Sequence, residues 1–417
     1  MTHATLTTAM AALHSPRWLY EIRCAALTRF FDAGLPDRHD EDWRYTSLDH
    51  LDGLALHEPR QDRESAVVLE DYPGALIAFL DDLLVWQDAS LPHGMIGSLH
   101  QAMKKSLLRE HLGGLAGDTA LAQLNSALWR DGACLHVPAR ERLRQPVFLR
   151  HGSAEAEAML HPRMLVVMET GSDAILIEHF AAATDAPYWR NPVAEIELAA
   201  GACLTHIRLT EEGAGATHTA LTAVHLEADS NYRCLDLSLD GKLIRHDLRV
   251  DLAGDGANAR MDGLFVVGGR RHADHHLVAK HSAPNTVSHM TWRGLAGGRA
   301  RGIFNGLVQV EPGASKSDAR QSSRNLLLSP HAEIDARPQL EIRTDDVRCA
   351  HGATVGRLDA EALFYLRSRG IDLDAARALL LTAFAGEALG LIDDAGLSGW
   401  LMPRILRRLA IKEGTMK

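Results

Sequence analysis

Leu235-Asp236-Leu237-Ser238-Leu239-Asp240-Gly241, with Leu248-Arg249-Val250-Asp251-Leu252 close behind it, is the stretch on which the fold turns. Apolar and polar residues alternate in both runs, and a side-chain period of two belongs to an extended strand with one face buried. Leu235, Leu237, Leu248, Val250 and Val267 are therefore expected to point inward, with Asp236, Ser238, Arg249 and Asp251 on the opposite faces. Asp240-Gly241, Asp255-Gly256 and Gly268-Gly269 punctuate the runs as turns do. Strand starts recur near Leu235, Leu248, Met261, His275, Val287 and Ile303, a spacing of about 13 residues. Many short, evenly spaced strands suit a sandwich, a barrel or a solenoid. The alternation outlasts the roughly 100 residues of an ordinary sandwich. A stacked coil of strands accommodates that length, because each turn buries its apolar face against the next.

Helical patterns flank this tract. Leu13, Leu19, Ile22, Ala26 and Phe30 mark one side of a helix predicted from Met10 to Phe31 and stopped by Gly34-Leu35-Pro36. Leu99 to Trp129 is helical again, broken by Gly113-Gly114 and Gly117. Downstream, Asp359 is placed to cap a helix from Ala360 to Arg369 that Gly370 ends, and Asp372 or Asp374 opens another that runs to about Leu391. The organisation predicted is an N-terminal helical region (1–132), a β-rich core (133–347) and a C-terminal helical domain (348–417). Open sheet edges at the two ends of a solenoid need covers, and the helical regions supply them.

The 417 residues carry 44 Lys and Arg against 54 Asp and Glu, a formal net charge of −10. That balance argues against nucleic acid or an anionic membrane as partner. Cys24, Cys134, Cys203, Cys234 and Cys349 are odd in number, scattered and without a C-x-x-C, so a disulfide framework is not expected and a reducing, cytoplasmic location is. No run approaches the roughly 20 apolar residues that span a bilayer, and Met1-Thr2-His3-Ala4-Thr5 lacks a basic flank leading into an apolar run, so a signal peptide is not expected. P-loop, nucleophile-elbow and zinc-protease motifs are all missing, and no carboxylate pair stands out as an acid–base couple; the chain is read as a non-enzyme.

Asp345-Asp346-Val347-Arg348-Cys349-Ala350-His351-Gly352-Ala353-Thr354-Val355-Gly356 sets a thiol two residues from an imidazole. In an extended segment those two side chains share a face, and they are donors that iron, zinc and copper prefer. Two ligands do not close a site, since metal and cluster centres take three or four. The plain alternative is a buried cysteine and a hydrogen-bonded histidine. Together with Asn325-Leu326-Leu327-Leu328-Ser329, Arg337-Pro338-Gln339-Leu340-Glu341-Ile342 and, near the front, Glu41-Asp42-Trp43-Arg44-Tyr45-Thr46, this run resembles the SufB/SufD family of iron–sulfur cluster assembly proteins. The residues His351-Gly352-Ala353-Thr354-Val355-Gly356 place the likeness on its SufD branch.

The resemblance implies a right-handed parallel β-helix flanked by helical caps, serving as a scaffold rather than a catalyst. It implies pairing with SufB along the β-helix edge, with a second copy of the chain as the partner when SufB is absent. It also implies a SufC ATPase on the C-terminal helices, and a nascent cluster or iron shared with SufB rather than held alone. His351, then Cys349, are the implied ligands. The wide apolar stripe of Leu379, Leu380, Leu381 and Phe384 is the implied ATPase docking face, a core role being its bland alternative. His272, Asp274 and His276, beside His275, share a strand face and match a two-His, one-carboxylate metal site or a solvated polar strand. A polysaccharide-active β-helix enzyme is the competing reading of the whole chain.

Overall fold

The computed structural model describes residues 3–60, 70–91, 95–103 and 106–410. Its centre is a coil of strands that lie alternately in two facing sheets: Asn231–Asp240 in one, Leu243–Leu252 in the other, then Asn258–Val267 and His272–His281. Each strand pairs in parallel and in register with the strand one turn on, Leu237 beside Leu264 and Leu248 beside Leu277. A turn takes roughly 30 residues. This is the β-helix expected, drawn as a flattened, two-sided coil. The sheet containing Asn231–Asp240 is covered outside by the C-terminal helices and is called the C-sheet; N-terminal segments cover the other, the N-sheet.

The corner from N-sheet to C-sheet explains how the coil repeats. Gly171, Gly201, Asp229, Gly256, Asn285 and Lys316 occupy it in successive turns, all with φ between 55° and 72°. Glycine enters that left-handed region freely, and aspartate and asparagine tolerate it. Each of these residues donates its N–H to a carbonyl of the next coil, Gly201 to Ala228 at 2.8 Å and Asn285 to Ser315 at 2.9 Å among them. The inter-turn ladder thus runs through the bends as well as the strands.

The two ends of the coil differ. At the first, each sheet ends in an antiparallel strand, Leu83–Gln87 on Ala75–Leu80 in the C-sheet and Ile96–Ser98 on Gly132–Val137 in the N-sheet. At the second, Glu333–Ile342 and Arg348–Gly356 are outermost, and their free edges are open. The core therefore runs beyond the predicted boundary at 347 to Gly356, and strands reach back to Ala75, inside the region read as helical. The predicted Met10–Phe31 helix is two helices, His3–Ala12 and Arg17–Ala33, because Pro16 lacks an N–H and its ring disfavours helix in the residue before it. The Leu99–Trp129 segment forms helices Leu99–Ala102, Ser106–His111 and Ala120–Leu128.

Leu248, Val250 and Val267 face the interior as expected, but Leu235 and Leu237 do not. With Leu239, Leu264, Val266 and Leu295 they form the outer face of the C-sheet, under Leu381, Ala385, Leu397, Leu401 and Ile405 of the C-terminal helices. The polar row, Asp236 and Ser238, points inward and is fully buried. Alternation identifies two faces, yet when both are buried it does not say which is the inside. Farther along, the rings of Phe265, Trp292 and Phe304 fill the interior. A Cβ on Gly263 would lie 2.3 Å from Trp292 and one on Gly294 2.2 Å from Phe265, so those glycines make the room.

Asp236 and Ser238 belong to a sealed polar network that runs along the middle turns. His206 bridges Glu178 and the Tyr232 hydroxyl at 2.9 Å each. His246 joins Asp236 at 2.5 Å to Thr222 at 2.9 Å, and Ser238 bonds His275 at 3.0 Å. Arg208 donates to His218 Nε2, so His218 Nδ1–H donates to Glu212, which also pairs with Arg190 at 3.3 Å. Charges taken out of water need such partners. Burial would raise the carboxyls of Glu178 and Glu212, but their imidazole and guanidinium neighbours bring them down to about 2.

Burial also pushes the imidazoles of His151 and His161 down to about 3, and those of His218, His246, His272 and His281 to about 4. A depressed imidazole is protonated in the unfolded chain first, so its stabilising effect is complete above the unfolded value of about 6.5 and is lost as pH falls toward 4. Each such group adds a slope of up to about 1.4 kcal/mol per pH unit. Urea unfolding at successive pH values should accordingly show stability nearly level above neutrality and falling steeply from pH 6.5 to pH 5. A flat profile across that window would contradict the buried, uncharged state of these rings.

Candidate functional site

The open end of the coil carries the sequence-predicted pair. Arg348–Gly356 is the last strand of the C-sheet, pairing only with Asp318–Leu327; Cys349 lies beside Ala319 and His351 beside Gln321. Ala319 and Gln321 are inward residues, so Cys349 and His351 sit on the inner face of a turn that has no further turn above it. Cys349 is half-buried against the interior core, while His351 is exposed. Burial pushes the Cys349 thiol up, partly offset by the backbone of Ala319. The sulfur is therefore protonated at neutral pH, and ligation to a metal would have to displace that proton. The arrangement offers one imidazole and one thiol along an unpaired strand edge. Among the described residues no three His, Cys, Asp or Glu side chains are grouped to hold a metal ion.

The second predicted cluster does something else. His272, Asp274 and His276 do share the outer face of the N-sheet, with His275 turned inward. Instead of an open cation site, Asp274 receives Arg245 at 2.8 Å and His276 at 3.0 Å and accepts a short hydrogen bond from Thr46. Thr46 also bonds His272 Nε2 at 2.8 Å. Arg245 reaches the carbonyl of Asp42 at 2.7 Å and lies 4.0 Å from the centre of the Trp43 ring. Arg337 pairs with Glu41 and Arg301 lies over Tyr45. The Glu41–Thr46 motif is thus a latch that ties the N-terminal arm across the coil, and a guanidinium stands where a metal would have to be. Burial would raise Asp274, but His276, Arg245 and Thr46 hold its carboxyl far below the usual range.

The apolar stripe of the C-terminal helices divides. Leu381 is buried and Phe384 half-buried against the C-sheet, where Arg293 lies over the Phe384 ring at 5.7 Å. Leu380 is half-buried, and Leu379 is 52% exposed. More exposed apolar side chains lie on the preceding helix, Ala360–Ser368: Phe364 is 74% and Tyr365 57% exposed, lining a shallow concavity with Asp359, Glu361 and Ser368. Helix period alone does not find them, since that helix has no buried residue at all to define an inner face.

Residues 150–384 match the family model described as SUF system FeS cluster assembly, SufBD core domain. The chain is 32% identical over 389 residues to a SufBD family iron–sulfur cluster assembly protein of Synechocystis, covering 88% of this chain and 86% of that one. It is 31% identical over 394 residues to the iron–sulfur cluster assembly protein SufD of Escherichia coli, covering 92% and 91%. SufD of Bacillus subtilis is 28% identical over 429 residues, covering 94% of each. No described helix is long and apolar enough to cross a membrane.

The latch is open to direct test. Asp274→Asn removes the buried carboxylate that Arg245, His276 and Thr46 share, a change worth about 3 kcal/mol. Limited proteolysis should then cut within residues 41–51 at concentrations that spare the parent chain, while the C-terminal helices stay resistant. Equal resistance of the two proteins would remove Asp274 from that role.

Proposed function

The chain belongs to the SufBD family of iron–sulfur cluster assembly proteins, and from that membership we propose that it acts as a SufD-type scaffold subunit. The observation that carries this reading is the strand Arg348–Gly356, whose outer edge is unpaired and which ends the coil with His351 exposed and Cys349 half-buried two residues before it. An unpaired edge is a template for a strand of another chain. SufB supplies that strand, and a second copy of this chain takes the position when SufB is absent. The iron or nascent cluster is cargo. His351, with Cys349 second, contributes an incomplete ligand set that SufB completes, so nothing is bound stably by this chain alone.

The C-terminal helices hold the SufC ATPase. Leu381 and Phe384 are occupied by the C-sheet, which moves the docking face to Phe364, Tyr365 and Leu379, with Leu380 at its margin. ATP hydrolysis in SufC drives the rearrangement, and this chain contributes geometry rather than a catalytic group. Among the described residues its five cysteines form no disulfide, which suits the reducing cytoplasm. The polysaccharide-enzyme reading gains nothing from the carboxylates gathered by the fold, because Glu178, Glu212 and Asp236 are sealed in the interior and paired.

In a strain that depends on this pathway, His351→Ala should abolish cluster maturation while SufB and SufC still co-purify with the variant. Full rescue of growth would overturn the role given to the imidazole. Separately, Phe364→Ala should weaken SufC capture roughly thirtyfold, about 2 kcal/mol for an apolar anchor, with the circular-dichroism spectrum unchanged. Unaltered capture by Phe364→Ala and by Leu379→Ala would exclude this face.

A further inference from the structure

The bends that carry the chain from the C-sheet to the N-sheet change sign along the coil. Asp185 is exposed at this corner in an early turn, and the later turns read Asp240-Gly241-Lys242, Gly268-Gly269-Arg270-Arg271, Gly297-Gly298-Arg299 and Ser329-Pro330-His331. Gly269 and Gly298 take φ of 67° and 66°, and the N–H of Arg299 donates to the carbonyl of Gly269 at 2.6 Å. Strand register makes Arg270, Arg299 and His331 equivalent positions in successive turns, with Lys242 and Arg271 equivalent to each other one residue on. Lys242, Arg270, Arg299 and His331 are all exposed. Among the described residues no hydrogen bond or ion pair engages the side chains of Lys242, Arg270 and Arg299. Two flanking carboxylates are already taken: Asp240 is shared by Arg271 at 3.0 Å and Arg408 at 3.3 Å, and Glu333 pairs with Arg301 at 3.4 Å.

We propose that this basic ridge docks an acidic α-helix of a partner protein, laid along the axis of the coil. Charge supplies the first argument. Cations on neighbouring turns, about 4.8 Å apart along the backbone, repel one another. An anionic surface set against them relieves that repulsion as well as adding attraction. Spacing supplies the second argument. A helix with one acid per turn on a single face repeats every ~5.4 Å, close to the rise of the coil. An extended segment presents the same face only every ~6.8 Å and falls out of step sooner. The third argument is the rest of the molecule. Its formal net charge of −10 repels a long polyanion or an anionic bilayer, which must also cover the surrounding surface. A short helix touches the ridge alone. None of the ridge residues belongs to the strand Arg348–Gly356 or to the helix of Phe364, so the ridge is a separate surface whose role stands or falls independently of theirs.

The probe is a fluorescein-labelled, alanine-rich helical peptide with one glutamate per turn along a single face, titrated with the full chain and read by anisotropy. Its control has the same composition with the glutamates spread around the helix. The one-face peptide should bind about tenfold more tightly than the control at low ionic strength, and should weaken as salt is raised. Replacing the three free cations together, by Lys242→Gln, Arg270→Gln and Arg299→Gln, should cost about thirtyfold in affinity, as three exposed ion pairs supply. Because the free ridge repels itself, the triple variant should melt no lower than the parent chain at low ionic strength. A lower melting temperature would mean that these cations serve the fold, and would overturn the proposal. Equal binding of the two peptides, or unchanged affinity of the triple variant, would overturn it as well. So would tighter binding of a single-stranded oligonucleotide or of phosphatidylserine vesicles than of the one-face peptide, since the ridge would then belong to another class of partner.

Discussion

Strict turn-to-turn register is the constraint on which everything else depends. Each strand pairs with the one a full turn away, residue for residue, and the bends join in through the left-handed corner residues from Gly171 to Lys316. A coil built this way stacks equivalent positions into rows, so a residue's surroundings are fixed by its row more than by its neighbours in sequence. The row of Leu176, His206, Cys234, Met261, Met290, Gln321 and His351 is one example. It passes from the polar middle through an apolar layer to the exposed end without leaving its line. Shifting one strand by a single residue would turn all of that strand's inward side chains outward; for Asn231–Asp240 that would set Asp236 against the C-terminal helices.

Much of this was legible in the amino-acid sequence. The strand tract, its turns and the helical flanks were readable, as were the aspartates that open the last helices. Asp359 caps through Glu361 and Ala362, and Asp372 through Asp374 and Ala375. What escaped has a physical reason in each case. Leu235 and Leu237 sit on the wrong side of the expectation because both faces of the C-sheet are covered, and a period of two has no sign. The latch escaped because Thr46 and Asp274 meet across 228 positions of sequence. The candidate site was legible in part: the shared face of Cys349 and His351 follows from spacing, whereas their place on the outermost turn follows from register, which no local pattern encodes.

The interior combines two chemistries that seldom coexist in a narrow coil. Ionised and polar side chains occupy the middle turns, and large aromatic rings follow them toward the open end. The rings fit because glycines at 263, 294 and 302 stand opposite. Each glycine loses more chain entropy on folding than another residue would, and the packed rings offset that loss. The consequence is a partition. Phe265, Trp292 and Phe304 separate the buried salt bridges from the last polar layer, so events at the exposed edge do not expose the charged network to solvent.

The two ends of the coil are also unequal as sheet edges. An edge that accepts a strand at both ends would propagate as a filament, in the manner of any head-to-tail contact that fails to close. Here Leu83–Gln87 and Ile96–Ser98 run antiparallel across the first turn, so the parallel ladder of the coil stops there. At the second end Glu333–Ile342 and Arg348–Gly356 continue the parallel ladder unchanged, so the two ends of the coil offer different templates: a parallel edge at one and antiparallel strands at the other.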